Sequence, residues 1–208
     1  MSKPGYQYLL TYQQLEEIYD LANQFCQRFL PGRENLRTRE QMVQAARSAK
    51  QCLVEGYEQE SLKGYIKLTG VSRGSLKELL EDLKDFARNH KVEIWDKGDK
   101  RVKQMLTTRK ERRKVTQWIL PLTPFDPFNP LYPTNYLLNL VNMTTYLLDR
   151  QIDSLKEKFV KEGGWTEKIF RERLAYRQKQ NAFTLIEILI ALAIIILLTA
   201  GGVVVSIC

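Results

Sequence analysis

The 208-residue chain holds few groups suited to catalysis. It has one histidine, His90, between Asn89 and Lys91 at the end of a helical stretch. Acid–base and nucleophilic catalysis need a poised group beside a partner. A solvated or helix-capping histidine supplies neither. Cys26, Cys52 and Cys208 lie far apart, with no CxxC or metal-ligand spacing. Neither a disulfide framework nor a metal site is expected, and the thiols read as reduced. There is no Gly-rich phosphate loop and no metal-spaced set of carboxylates. Glu81, Asp82 and Asp85 read as a solvated helix face that can pair with Lys77 and Lys84. The expectation is a non-enzyme with no cofactor and no metal. Met1 opens no apolar run, so no N-terminal signal peptide is expected.

Charge and helical periodicity are abundant. Lys and Arg number 32 against 24 Asp and Glu, for a net charge of +8. Residues 183–208 contribute only Glu187, so residues 1–182 carry 32 against 23, or +9. That excess suits nucleic acid, anionic lipid or an acidic protein face. A basic surface kept for solubility explains it too.

Four long amphipathic helices are predicted. The first starts at Thr11 as a cap, with Gln14 as its box partner, and runs through Leu15, Ile18, Ala22, Phe25 and Phe29 to Pro31-Gly32. The second covers about 38–58, with a small-residue stripe of Met42, Ala45, Ala46, Ala49, Leu53 and Gly56 that lets a neighbour come close. The third covers about 62–89 and keeps its stripe in phase across Gly70. The fourth covers about 134–161, with Thr134 as a possible cap, and ends at Gly163-Gly164. A short basic helix follows, from Thr166 to about Lys179. Such helices cannot bury their stripes singly, so an antiparallel four-helix bundle is expected.

Between helices 3 and 4, residues 91–133 form a basic, Pro-rich insertion. Lys100 to Lys114 holds eight cations against Glu111: Lys100, Arg101, Lys103, Arg109, Lys110, Arg112, Arg113 and Lys114. Prolines at 121, 124, 127, 130 and 133 forbid a continuing helix and predict an extended strap. Its Leu122, Phe125, Phe128, Leu131 and Tyr132 are apolar enough to lie on the bundle or on a partner. The cations could track RNA or DNA phosphates, with Trp95, Trp118 and Phe125 stacking on bases. A solvated basic face is the alternative.

Gln41–Ser48 (QMVQAARS), Ser72–Asp82 (SRGSLKELLED), Leu147–Ile152 (LLDRQI) and Glu162–Glu167 (EGGWTE) resemble the four-helix-bundle proteins first noticed in ribosomal-RNA intervening sequences. Residues 135–177 look like the version called the four-helix-bundle suffix domain, and the resemblance covers roughly residues 5–178. Ala49-Lys50-Gln51-Cys52 departs from the Gly-Lys-Gln-Asn of that pattern. A related branch, the accessory protein of diversity-generating retroelements, implies a basic homopentamer that contacts a reverse transcriptase and nucleic acid.

The last 26 residues, Phe183 to Cys208, are nearly uncharged and would measure about 39 Å as a helix, against about 30 Å of bilayer hydrocarbon. A transmembrane helix is expected there. Arg171, Arg173, Arg177 and Lys179 lie upstream, which places residues 1–182 in the cytoplasm. NAFTLIEILIALAIIILL resembles the processing segment of type IV prepilins and pseudopilins. The resemblance implies a bacterial inner membrane, a prepilin peptidase that cuts after Ala182, N-methylation of Phe183, and a special role for Glu187, five residues into the processed chain. Ala182 stands where that family usually has glycine, which implies slower cleavage.

The organisation expected is therefore a bundle domain over 1–179 and a processing and transmembrane segment over 180–208. Three functions remain open. The first is an oligomeric interaction module tethered to the inner membrane. The second is a prepilin peptidase substrate whose cleavage frees the bundle into the cytoplasm. The third is a nucleic-acid-binding accessory protein.

Overall fold

The structure, a computed structural model, describes residues 4–104 and 129–204. The side chains of residues 181–186 and 199–204 lie outside that description. All regular structure among the described residues is helical. A short 3-10 turn, Gly5–Tyr8, precedes α1 (Leu10–Phe29), α2 (Leu36–Tyr57), α3 (Leu62–Asn89), α4 (Leu131–Glu162) and α5 (Trp165–Val204). Residues 100–104 are also helical. The chain divides into two compact units, Met1–Glu162 and Gly163–Cys208.

In the first unit α1 packs on α2 and α4, α2 on α3, and α3 on α4. The four helices thus close a ring around one core. Side-chain pairs fix the directions. Along α1 and α2, Tyr19 faces Lys50 and Cys26 faces Met42. Along α2 and α3, Ser48 meets Ser75, and Ser72 Oγ donates to the Ala49 carbonyl at 2.6 Å. Along α3 and α4, Tyr65 meets Gln151 and Arg73 pairs with Asp149. Along α1 and α4, Thr11 meets Gln151 and Glu17 meets Tyr136. In each pair one number rises as the other falls, so these neighbours run in opposite directions.

The small stripe of α2 behaves as its composition predicts. Met42, Ala45, Ala46, Ala49, Leu53 and Gly56 are its buried residues. A methyl group added at Gly56 would lie 3.1 Å from Leu68 Cβ and 3.2 Å from the Tyr65 ring, so glycine serves the close approach of α2 to α3. Gly70 and Gly74 on α3 are different, because an added Cβ there meets nothing within 4 Å. Their helical backbone loses the entropy of glycine with no packing in return. Gly70→Ala and Gly74→Ala are each expected to stabilise the fold by up to about 1 kcal/mol, seen as a higher urea midpoint.

Helix ends differ from the sequence expectation at two threonines. α1 has no side-chain cap; Thr11 lies inside its first turn and donates to Gln151 Oε1 at 2.9 Å. Gln14, expected as a box partner, is buried and accepts from Thr144 Oγ1 at 2.7 Å. Both side chains gain a long-range partner that a local cap would forgo. α4 begins at Leu131, three residues before Thr134, and Pro133 sits in its first turn, where no backbone N–H is needed. Ser61 does cap α3, accepting from the Gly64 N–H at 3.1 Å.

α3 closes with a Schellman pattern. The Val92 N–H reaches the Ala87 carbonyl at 2.8 Å, and the Lys91 N–H reaches Arg88 at 3.3 Å. Lys91 takes a left-handed φ of 53° to do so. His90 is the C-cap residue; its Nδ1 lies 3.0 Å from the Phe86 carbonyl and its ring stacks on Phe86. Gly163, with φ of 79°, follows the last residue of α4.

The C-terminal segment departs from the expected plan. The short basic helix and the apolar stretch form one continuous helix, α5. No breaker falls between Trp165 and Thr199, so nothing in that sequence stops the helix. Among the described residues, no helix is long and apolar enough to cross a membrane.

Candidate functional site: the methylation-motif helix and the basic segment

The backbone of α5 is helical through Ala182, Phe183 and Glu187. Phe183 and Glu187 are four residues apart, about one helical turn along the axis. Glu187 is exposed, and so is every described side chain from it to Leu198. Ile188, Leu189, Ile190, Leu192 and Ile194 to Leu198 each keep about half or more of their surface open. An apolar surface of that extent on one helix marks a site that another apolar phase or protein covers. Upstream on α5, Lys168, Arg171, Arg173, Arg177 and Lys179 are exposed beside Trp165, Phe170 and Tyr176.

The basic segment lies largely outside the described residues. Arg109, Lys110, Arg112, Arg113 and Lys114 fall there, as do Trp118, Leu122, Phe125 and Phe128 of the strap. Lys100, Arg101 and Lys103 are described and exposed. Arg101 is committed within the chain. Its Nε donates to both Asp99 carboxylate oxygens at 3.1 Å, and Nη2 donates to Asp99 at 2.7 Å and to Glu93 at 3.2 Å. The guanidinium also sits over the Trp95 ring, 4.1 Å from the centroid. The bonds from Arg101 hold the Asp99 carboxyl below the usual carboxylate range, and those to Asp99 raise the guanidinium further. Both carboxylates compete with a phosphate for the charge of this arginine.

Around that knot the start of the strap is anchored. Asn135 on α4 accepts from the Trp95 N–H at 2.8 Å and donates to the Glu93 and Leu131 carbonyls at 2.8 Å each. Trp95 and Val102 are buried in the core, with Val92, Leu131 and Tyr132 packed against it. Of the two placements expected, bundle or partner, Leu131 and Tyr132 take the bundle, as part of α4 and not of an extended strap. Nothing in the sequence marks Asn135 as a latch, since an Asn inside an amphipathic helix reads as a surface residue.

Asp82 lines a groove between α2 and α3 with Glu40, Ser48 and Glu78. Burial first, then Asp85 and Glu78, push its carboxyl up. Among the described residues, no group of three or more His, Cys, Asp or Glu could hold a metal ion.

Comparison with known proteins yields one family. The prokaryotic N-terminal methylation motif matches residues 177–203, the part of α5 that carries Ala182, Phe183 and Glu187. No curated protein and no solved structure matches the chain.

Proposed function

We propose that the chain is a substrate of a prepilin-type peptidase, cut between Ala182 and Phe183, with its apolar segment held in a lipid bilayer. The observation that carries this reading is the methylation-motif match over 177–203, which includes Phe183 followed four residues later by Glu187. The exposed apolar surface from Ile188 to Leu198 supports it, because a bilayer covers such a surface without any dedicated protein partner. Glu187 near the start of that surface sits where an interface can solvate it, at lower cost than mid-bilayer. Residues 1–162 then serve as an antiparallel four-helix-bundle interaction module, and cleavage separates that module from its anchor.

Intact-mass analysis after co-expression with a prepilin peptidase tests the proposal. The expected products are a fragment ending at Ala182 and a fragment beginning at N-methylated Phe183. Full-length chain alone, beside a prepilin control that is cut, rejects it. The scissile bond lies within α5, so the peptidase needs the helix to open locally. Ala182→Gly lowers helix propensity by about 1 kcal/mol, which raises the open population roughly fivefold. Processing of that variant is expected to be faster by about that factor in a time course. An unchanged or slower rate would count against opening as the limiting step.

A further inference from the structure

The cations upstream of the cleavage position do more than balance charge. Residues 165–180 of α5 carry five cations, Lys168, Arg171, Arg173, Arg177 and Lys179, against Glu167 and Glu172, a net +3. All five are exposed, on the same continuous helix as the apolar run. Trp165, Phe170 and Tyr176 are also exposed among them, at 52%, 61% and 64%. Cations and amphipathic aromatics beside an apolar segment have the chemistry of a headgroup layer.

Distance selects which cations can act. With the apolar segment starting at Phe183, Lys179, Arg177 and Arg173 lie about 6, 9 and 15 Å back along a helix. A headgroup layer is about 5–8 Å deep on each side, and the Debye length adds about 8 Å at physiological salt. Those three fall within reach of anionic headgroups. Arg171 and Lys168, about 18 and 22 Å back, fall outside it.

We infer that Arg173, Arg177 and Lys179 form a collar that binds anionic lipid headgroups, so that the chain prefers an acidic membrane surface. This inference rests on the bilayer reading above and adds the chemistry of the surface. Basic residues outside α5, which also contribute to the positive charge of residues 1–182, are the competing source of any acidic preference, and the variant below separates the two.

The test is flotation of the full-length chain, synthesised cell-free in the presence of vesicles. One set is phosphatidylcholine alone; the other contains one third phosphatidylglycerol. Each cation near an anionic surface is worth roughly fivefold in partitioning. In 50 mM NaCl the parent is expected to float with the acidic vesicles at about tenfold lower lipid concentration or less. That gap is expected to close in 500 mM NaCl, where the Debye length shrinks to a few ångströms. R173Q/R177Q/K179Q is expected to lose the gap yet float with phosphatidylcholine like the parent. Equal half-saturation of the parent on both vesicles overturns the collar while the anchor stands, and so does a gap that survives in the triple variant. No flotation with either vesicle overturns the bilayer reading and the collar together.

Discussion

Phe25→Ala is expected to destabilise the fold by about 3–5 kcal/mol. Phe25 is fully buried, one of the largest side chains without solvent contact. Its ring meets Phe86 edge-on at 4.8 Å and Phe29 at 5.1 Å, so it joins α1 to α3 across the core. Truncation removes the apolar transfer energy and both ring contacts, and leaves a cavity that stiff helices cannot close. A domain of this size is stable by about 5–15 kcal/mol, so the loss is a large share of the total. The melting temperature should fall by roughly 10 °C. Phe25→Leu keeps most of the volume and should cost much less. Equal melting temperatures for the parent and Phe25→Ala would show that the α1–α3 contact is not as described.

Cys26 provides the second large effect, this time in reactivity. Burial between α1 and α2 pushes its thiol up to about 12, from an ordinary value of 9.0; nearby Asp82 adds to the shift and Arg39 opposes it. Only the thiolate attacks thiol reagents, so this upward shift cuts the reactive fraction at neutral pH about thousandfold. In a C52S/C208S chain, the folded protein should therefore react about 10³ times more slowly than the urea-unfolded protein. Restricted access can only widen that ratio; a ratio within tenfold would refute the burial. The linkage has a definite sign. The folded thiol holds its proton more tightly than the unfolded one, so this residue's contribution is intact below about pH 9 and is lost as pH rises toward 12.

Both residues lie on a stripe that periodicity alone picks out. Leu15, Ile18, Ala22, Phe25 and Cys26 recur at helical spacing, and all are buried. The boundaries of α3 and the small stripe of α2 were equally legible, because each depends on local spacing and a nearby stop signal. The polar members of the core were not. Gln14 and Glu17 are buried, bonded to Thr144 and Tyr136 on a helix more than 100 residues away. Their phase matches the apolar stripe, which is the one signal that could have marked them. A sequence cannot say which polar side chain meets a partner across the core, because that depends on helix register.

The same division holds for the candidate site. The sequence by itself determined the processing motif, because Phe183, Glu187 and the polar lead-in are neighbours along the chain and need no fold to be recognised. It also determined that residues 183–208 lack the charge a solvated helix would carry. The folded structure decided which partners Arg101 takes. In sequence it is one of eight equivalent cations, and in the fold Asp99 and Glu93 pair with it while its guanidinium sits over the Trp95 ring. Tertiary structure alone decided that Asn135 latches the start of the strap, 40 residues away from Trp95. The physical reason is range: periodicity, charge and motif spacing are local and survive in a linear reading. Hydrogen bonds and ion pairs between distant residues exist only once packing has set which helices face each other.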